Sequence, residues 1–188
     1  MNRLQEQGIY YSYIDSPIGT LKVEECKNAI TALHICMNEE DKTEVDINGT
    51  DKIDIKYGVG KIHTTYNETA LLQEAKKQLE EYFDGKRRDF DLPISLHGTD
   101  FQKKVWNVLR SIPYGETLSY GEVALRIGNP KASRAVGGAN NKNPVMIIVP
   151  CHRVIGADGS LTGFGGGLPA KEYLIALEKG NFKMPNKK

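Results

Sequence analysis

Gly128-Asn129-Pro130-Lys131-Ala132-Ser133-Arg134-Ala135-Val136-Gly137-Gly138-Ala139 reads as a turn followed by a helix with almost only small side chains. Asn129 suits an N-cap and Pro130 a first helical position, which predicts a helix from about Pro130 to Ala139. Just upstream, Ser119–Ile127 has the pattern of another short helix. Two short helices joined by a tight glycine-containing turn form a helix-turn-helix pattern. A helix with ordinary side chains is ~10–12 Å across, whereas the minor groove of DNA is ~6 Å wide. A helix reduced to Ala, Ser and Gly could press against that groove. The same composition equally suits close helix packing inside a protein, and both readings stand.

Toward the C-terminus, Asn140–Asn143 is a polar turn. Pro144-Val145-Met146-Ile147-Ile148-Val149-Pro150 then reads as a buried strand bracketed by prolines. Cys151 follows at its predicted end, beside His152 and Arg153. Positive neighbours favour thiolate over thiol, so a lowered thiol pKa and a nucleophilic role are expected. The alternative is a buried, inert cysteine. Asp158–Gly167 is a glycine-rich loop. It lacks the GxxxxGK[ST] phosphate-loop pattern and does not directly follow a strand as a dinucleotide loop does.

Toward the N-terminus, Phe101, Val105, Val108 and Leu109 share a helical face from Asp100 onward, until Ile112-Pro113-Tyr114-Gly115 breaks it. Asp91-Leu92-Pro93 interrupts regular structure and places a boundary near residues 92–98. Ala70–Phe83 is predicted as a helix, with Leu71, Leu72, Ala75, Leu79, Tyr82 and Phe83 at helical period and Gly85 as its cap. Tyr10–Ile14 and Leu21–Glu25 read as strands around the turn Asp15-Ser16-Pro17-Ile18-Gly19, and Ala29–Met37 as a third apolar run. Residues 38–60 are acidic and irregular, with low order expected. The fold class is α+β. Residues 1–95 form a small strand-rich domain with one helix, 96–181 a mainly helical domain, and 182–188 a basic tail expected to be disordered and weakly attracted to DNA.

The composition is that of an ordinary globular chain of 188 residues, 39% hydrophobic and 26% charged. No run approaches the ~20 apolar residues of a membrane span, and the polar start does not resemble a secretion signal. Three cysteines without a pairing pattern argue against a disulfide framework, and residence in the reducing cytosol (the cytoplasm) is expected. The net charge of +1 hides an asymmetry: residues 1–97 hold 12 basic and 18 acidic side chains, and residues 98–188 hold 13 and 6. The basic half suggests a polyanion partner, unless it is only a solvated face.

Pro150-Cys151-His152-Arg153-Val154, preceded by Asn143-Pro144 and by Gly128–Ala139, closely resembles the O6-alkylguanine-DNA alkyltransferases. The resemblance covers roughly residues 98–180, and Asp15–Gly19 adds a weaker mark. It implies a ribonuclease H-like N-terminal domain. It also implies transfer of a methyl or alkyl group from O6 of guanine, and O4 of thymine, to Cys151 in one irreversible turnover. His152 then matches the base that takes the thiol proton through a water, Glu178 the carboxylate that orients it, and Asn143 the hinge before the nucleophile. Tyr120 matches the residue that drives the base outward and bonds guanine N3. Phe164 would stack on the base, the Gly165 amide would face O6, and the carbonyls of Cys151 and Val154 would read the exocyclic amine. Some relatives carry serine at position 165. Lys171 matches a family lysine near the site, or else is a helix-surface residue. Arg134 matches the finger that fills the gap in the base stack, with Lys131, Ala132, Ser133, Ala135 and Gly137 along the DNA. The implied partner is double-stranded DNA bound through the minor groove by a monomer, with no membrane, cofactor or metal.

Two rivals are an alkyltransferase-like binding module, which would lack the acceptor cysteine, and a cysteine hydrolase built from Cys151, His152 and Glu178. Some relatives hold a structural zinc, and Cys26, His34 and Cys36 lie close in sequence. Their spacing matches no compact zinc pattern, and core packing is the preferred reading.

Overall fold

Alternating burial builds the first sheet. In the computed structural model, which describes residues 8–37, 50–51 and 64–180, β1 (Ile9–Ile14), β2 (Leu21–Cys26) and β3 (Ala29–Ile35) form an antiparallel meander. Tyr11, Ile14, Leu21, Val23, Ile30 and Leu33 turn inward. Lys27 and Asn28 close the second hairpin with φ of 52° and 58°, the left-handed pair that a two-residue hairpin turn needs. β5 (Thr64–Tyr66) pairs parallel with β1, and β4 (Thr50–Asp51) pairs antiparallel with β5, giving the order β3-β2-β1-β5-β4. Neither short strand was expected. β4 falls inside the stretch read as irregular, the rest of which lies outside the described residues, as does the tail 182–188.

α1 (Ala70–Phe83) covers the sheet and matches its predicted bounds. Thr69 caps it by accepting the Leu72 N–H at 3.1 Å. Its buried stripe includes Leu72, Ala75, Leu79, Tyr82 and Phe83. The chain then returns along β3: Ile30 N–H donates to the Pro93 carbonyl at 2.8 Å, and Ser95 N–H donates to the Ile30 carbonyl at 2.9 Å.

The second half holds α2 (Asp100–Arg110), α3 (Tyr120–Arg126), α4 (Ser133–Asn141) and α5 (Leu168–Glu178). Thr99 with Gln102, and Ser119 with Glu122, make reciprocal capping boxes that start α2 and α3. Trp106 fastens α2 to α4, donating its indole N–H to the Ala139 carbonyl at 2.9 Å. Position 98 must be glycine for that ring to fit, since a Cβ there would lie 2.6 Å from it. β6 (Leu118–Ser119) pairs parallel with β7 (Val154–Ile155). Among the described residues, no helix is long and apolar enough to cross a membrane.

Two expectations are corrected. α4 begins at Ser133, not Pro130, and its N-cap Ala132 offers no side-chain bond. Asn129 instead closes a turn, its carbonyl accepting the Ala132 N–H at 3.0 Å, so Pro130 sits in that turn. The segment Pro144–Pro150 is not a strand. It folds back on itself, with Ile147 at φ 69° and Val149 N–H donating to the Val145 carbonyl at 2.9 Å. The apolar run is buried, as its composition demands, but its backbone groups are satisfied locally and by the N-terminal sheet. Leu33 N–H donates to the Pro144 carbonyl at 2.8 Å, and Met146 N–H donates to the Leu33 carbonyl at 3.0 Å. β3 therefore braces the turn that leads to Cys151, and one apolar core runs through both halves.

Trp106→Phe removes the α2–α4 bond and strands a buried carbonyl. It is expected to cost about 1–3 kcal/mol of stability, read from the midpoint of urea unfolding.

Candidate active site

Cys151, His152 and Arg153 form a single 3-10 turn directly after the folded-back segment. All three are buried, with His152 fully so. Asn143 shapes the approach: its Oδ1 accepts the Val145 N–H at 3.1 Å, and its Nδ2 donates to the Val149 carbonyl at 2.7 Å. The same side chain hydrogen-bonds the Cys151 thiol. The two backbone bonds make the Asx turn that its position before Pro144 allowed and tie that turn to the residue before Pro150.

Glu178, the last residue of α5, collects the donors around the site. His152 Nε2 donates to Oε1 at 2.8 Å. Arg153 forks across both oxygens, Nη2 to Oε1 and Nε to Oε2, each at 2.9 Å. Arg153 Nη1 donates to the Ile112 carbonyl. The Tyr82 hydroxyl donates to Oε1 at 2.8 Å and the Gly115 N–H to Oε2 at 3.1 Å. Gly115 holds φ 80°, and a Cβ there would lie 3.1 Å from the Glu178 carbonyl oxygen.

These contacts set the charges. Burial alone would raise the Glu178 pKa, but the His152 and Arg153 bonds outweigh it and hold the group at about 2. Burial lowers the His152 pKa against the pull of Glu178, so the imidazole is neutral at neutral pH. With Nε2–H committed to Glu178, the basic lone pair is on Nδ1, which is buried without a hydrogen-bond partner among the described residues. Burial pushes the Cys151 thiol up to about 11, partly offset by the Asn143 bond and the Lys171 charge. The expected low-pKa thiolate is therefore wrong. His152 is uncharged and the Arg153 charge is matched by Glu178, so neither acidifies the sulfur. The resting state is a thiol beside a neutral base.

Lys171 is fully buried, not a helix-surface residue. Its ammonium donates to the carbonyls of Val154 and Thr162, both at 2.6 Å. Tyr120, first residue of α3, donates its hydroxyl to the same Thr162 carbonyl at 2.8 Å. Together they tie down the start of the glycine-rich loop. Phe164 in that loop is 8% exposed, and a Cβ on Gly166 would strike Phe164 and Ile35 of β3. A Cβ on Gly165 would meet the Asn141 carbonyl at an ordinary 3.5 Å, so serine fits there.

The DNA-binding candidates form a separate surface. Val136, Ala139 and Asn140 of α4 face inward, and Gly137 lies 3.8 Å from the Tyr120 ring when given a Cβ. Lys131, Arg134, Ala135 and Gly138 are exposed, with Ala132 and Ser133 partly so. The helix is thus two-sided: one side packs closely, and the other is exposed and carries Arg134. Cys26 pairs opposite Ala29 and His34 opposite Lys22, near opposite ends of the β2–β3 ladder. No disulfide joins the cysteines. Sequence reasoning missed Tyr82, Gly115 and Asn140, whose Nδ2 donates to the Cys151 carbonyl at 3.2 Å. Tyr82 showed only a core-face pattern, and nothing local links it to a residue 96 positions away.

Fold and site define a class of two-part α+β protein whose buried cysteine is followed by a neutral imidazole held on a carboxylate. The ribonuclease-like domain of 6-O-methylguanine DNA methyltransferase matches residues 9–96, and its DNA binding domain matches residues 100–180. A methylated-DNA–protein-cysteine methyltransferase of Methanosarcina acetivorans is 45% identical over 170 residues, covering 90% of this chain and 98% of the relative. The crystal structure of Mycobacterium tuberculosis O6-methylguanine methyltransferase aligns with a TM-score of 0.75 at 42% identity, covering 94% of this chain and 96% of that one. The Mycobacterium tuberculosis OGT solved in complex with DNA gives 0.76 at 43%, covering 93% and 96%. The chain belongs to the 6-O-methylguanine DNA methyltransferase family, DNA-repair proteins that move an alkyl group from DNA to a cysteine of their own.

Glu178→Gln leaves His152 without its anion and Arg153 buried without a counter-charge. Stability should fall by about 3–5 kcal/mol, measured by chemical unfolding. Because the Glu178 pKa is depressed when folded, its contribution is present above the unfolded value near 4.5 and is lost as pH falls toward about 2. An acid titration of wild type against Glu178→Gln should converge in that window.

Proposed function

We propose that Cys151 is the acceptor to which this chain transfers the alkyl group from O6 of guanine, and from O4 of thymine, in double-stranded DNA. The observation that carries the reading is the buried Cys151 thiol beside a neutral His152 whose other nitrogen is held by Glu178. The thiol proton passes to His152 Nδ1 across a bridging water, and Glu178 stabilises the imidazolium that results. The sulfur attacks the alkyl carbon. The C–O6 bond breaks with its electron pair left on guanine, which regains neutrality by taking up one proton. Tyr120 turns its hydroxyl from the Thr162 carbonyl, which Lys171 still holds, to N3 as that negative charge develops. The product is an alkyl thioether without an electrophilic carbonyl, so water does not regenerate the thiol and each chain acts once.

A base inside a paired duplex cannot reach a buried sulfur, so the guanine rotates out of the stack. The exposed face of α4 enters the minor groove, and Arg134 fills the gap left behind. Lys131, Ala132, Ser133, Ala135 and Gly137 follow the strand. The bareness of that face is the support for this reading, together with the DNA complex solved for the Mycobacterium tuberculosis relative. Phe164, Gly165 and the carbonyls of Cys151 and Val154 frame the guanine, Lys171 holds the Val154 carbonyl in place, and the protein works as a monomer.

Incubation with an O6-methylguanine duplex should add one CH2 to the Cys151 peptide by mass spectrometry, and Cys151→Ala should show none. Lesion binding without a mass gain would mark a binding module instead. Arg134→Ala should slow transfer on the duplex about tenfold or more, since an unfilled gap leaves the extruded base state a few kcal/mol less stable. The single-turnover rate should be level through neutral pH. It should drop on the acid side only below about 6.5, because burial lowers the pKa of the base His152.

A further inference from the structure

Tyr82 comes from the N-terminal half, and the alkyl-transfer steps do not use it. It is fully buried on α1, its ring packed edge-on against Phe83 and Tyr114 and tilted against Phe90. Its hydroxyl reaches the oxygen of Glu178 that also receives His152 Nε2–H, each at 2.8 Å. Burial and then the Glu178 charge push the Tyr82 phenol well above its ordinary range, so it donates its proton throughout the neutral range. Arg153 Nη2 is the third donor to that oxygen. Three donors on one carboxylate oxygen compete for its electron density, and each weakens the hold on the others.

We propose that Tyr82 is a positioning residue for alkyl transfer: its hydroxyl fixes the Glu178 carboxylate and limits how strongly that carboxylate holds the His152 proton. The relay that serves the nucleophile is thereby completed by the N-terminal half. The charged groups facing His152 are Glu178, Arg153 and Lys171, and the charged or titratable groups facing Tyr82 are Glu178, Arg153 and Tyr114. Of these, only Glu178 and Arg153 face both. Loss of the hydroxyl leaves Oε1 to His152 and Arg153. The imidazolium becomes easier to form and the carboxylate less firmly oriented.

The inference rests on Cys151 as the acceptor, and the test separates the two. The His152 imidazole is titrated by NMR in wild type and in Tyr82→Phe, which keeps the ring. The midpoint should rise by about half a pH unit or more, and the acid limb of the single-turnover rate should move up with it. The plateau rate should fall about threefold to tenfold, the scale of one hydrogen bond. Tyr114→Phe removes a hydroxyl from the same aromatic cluster that is not among the donors to Glu178 and should leave the midpoint in place. A folded Tyr82→Phe with an unmoved midpoint and rate profile overturns the proposal. If that variant does not fold, wild type grown with 3-fluorotyrosine decides. A more acidic phenol is a stronger donor and should lower the His152 midpoint, and no shift overturns the proposal. Should wild type transfer no alkyl group at all, the acceptor reading fails, while the NMR midpoint still decides the role of Tyr82.

Discussion

The carboxylate of Glu178 takes hydrogen bonds from His152, twice from Arg153, from Tyr82 and from Gly115. An isolated carboxylate this deeply buried would take up a proton, because desolvation penalises its charge. Here the donors keep it ionised. That one negative charge then orients the imidazole, neutralises the buried guanidinium and anchors the loop at Gly115. It also draws together the end of α5, the turn after the nucleophile and α1 of the other half. The arrangement leaves a neutral imidazole next to the cysteine and holds a counter-ion beside that imidazole.

The thiol gains from the same economy of charge. A permanent thiolate would be a hazard in a protein that can react once, since any stray electrophile would consume it. Burial keeps the sulfur protonated until the proton has somewhere to go. The Lys171 ammonium and the Asn143 amide lie near enough to favour the anion as it develops, without forcing it in the resting state.

Much of this was legible in the sequence, and the failures are instructive. Helical periodicity located α1 and α2 closely, because that signal is local. The cysteine motif brought Cys151 and His152 into view, and the family resemblance it carries added Asn143 and Glu178. Val-Met-Ile-Ile-Val was misread as a strand because apolar, β-branched runs report burial and not hydrogen-bond partners. The structure satisfies that backbone with a folded-back turn and with β3, which lies over a hundred residues earlier. The thiol was misjudged because Arg153 and His152 are neighbours in sequence yet direct their polarity at Glu178. Tyr82 looked like one more apolar position on a helix. Its hydroxyl found a purpose only through a contact between halves, which no window of sequence contains.

The backbone pairing of Leu33 with Pro144 and Met146 has a consequence for how such a molecule can be altered or recombined. The segment that aims the nucleophile is, in hydrogen-bonding terms, an extra edge of the N-terminal sheet. The two halves are separate along the chain but not separable as modules. A chimera that grafts a foreign N-terminal domain onto this reactive half would inherit a different edge beside its cysteine. Residues 30–35 and 143–149 therefore form one structural unit, held together by backbone pairing between the two halves.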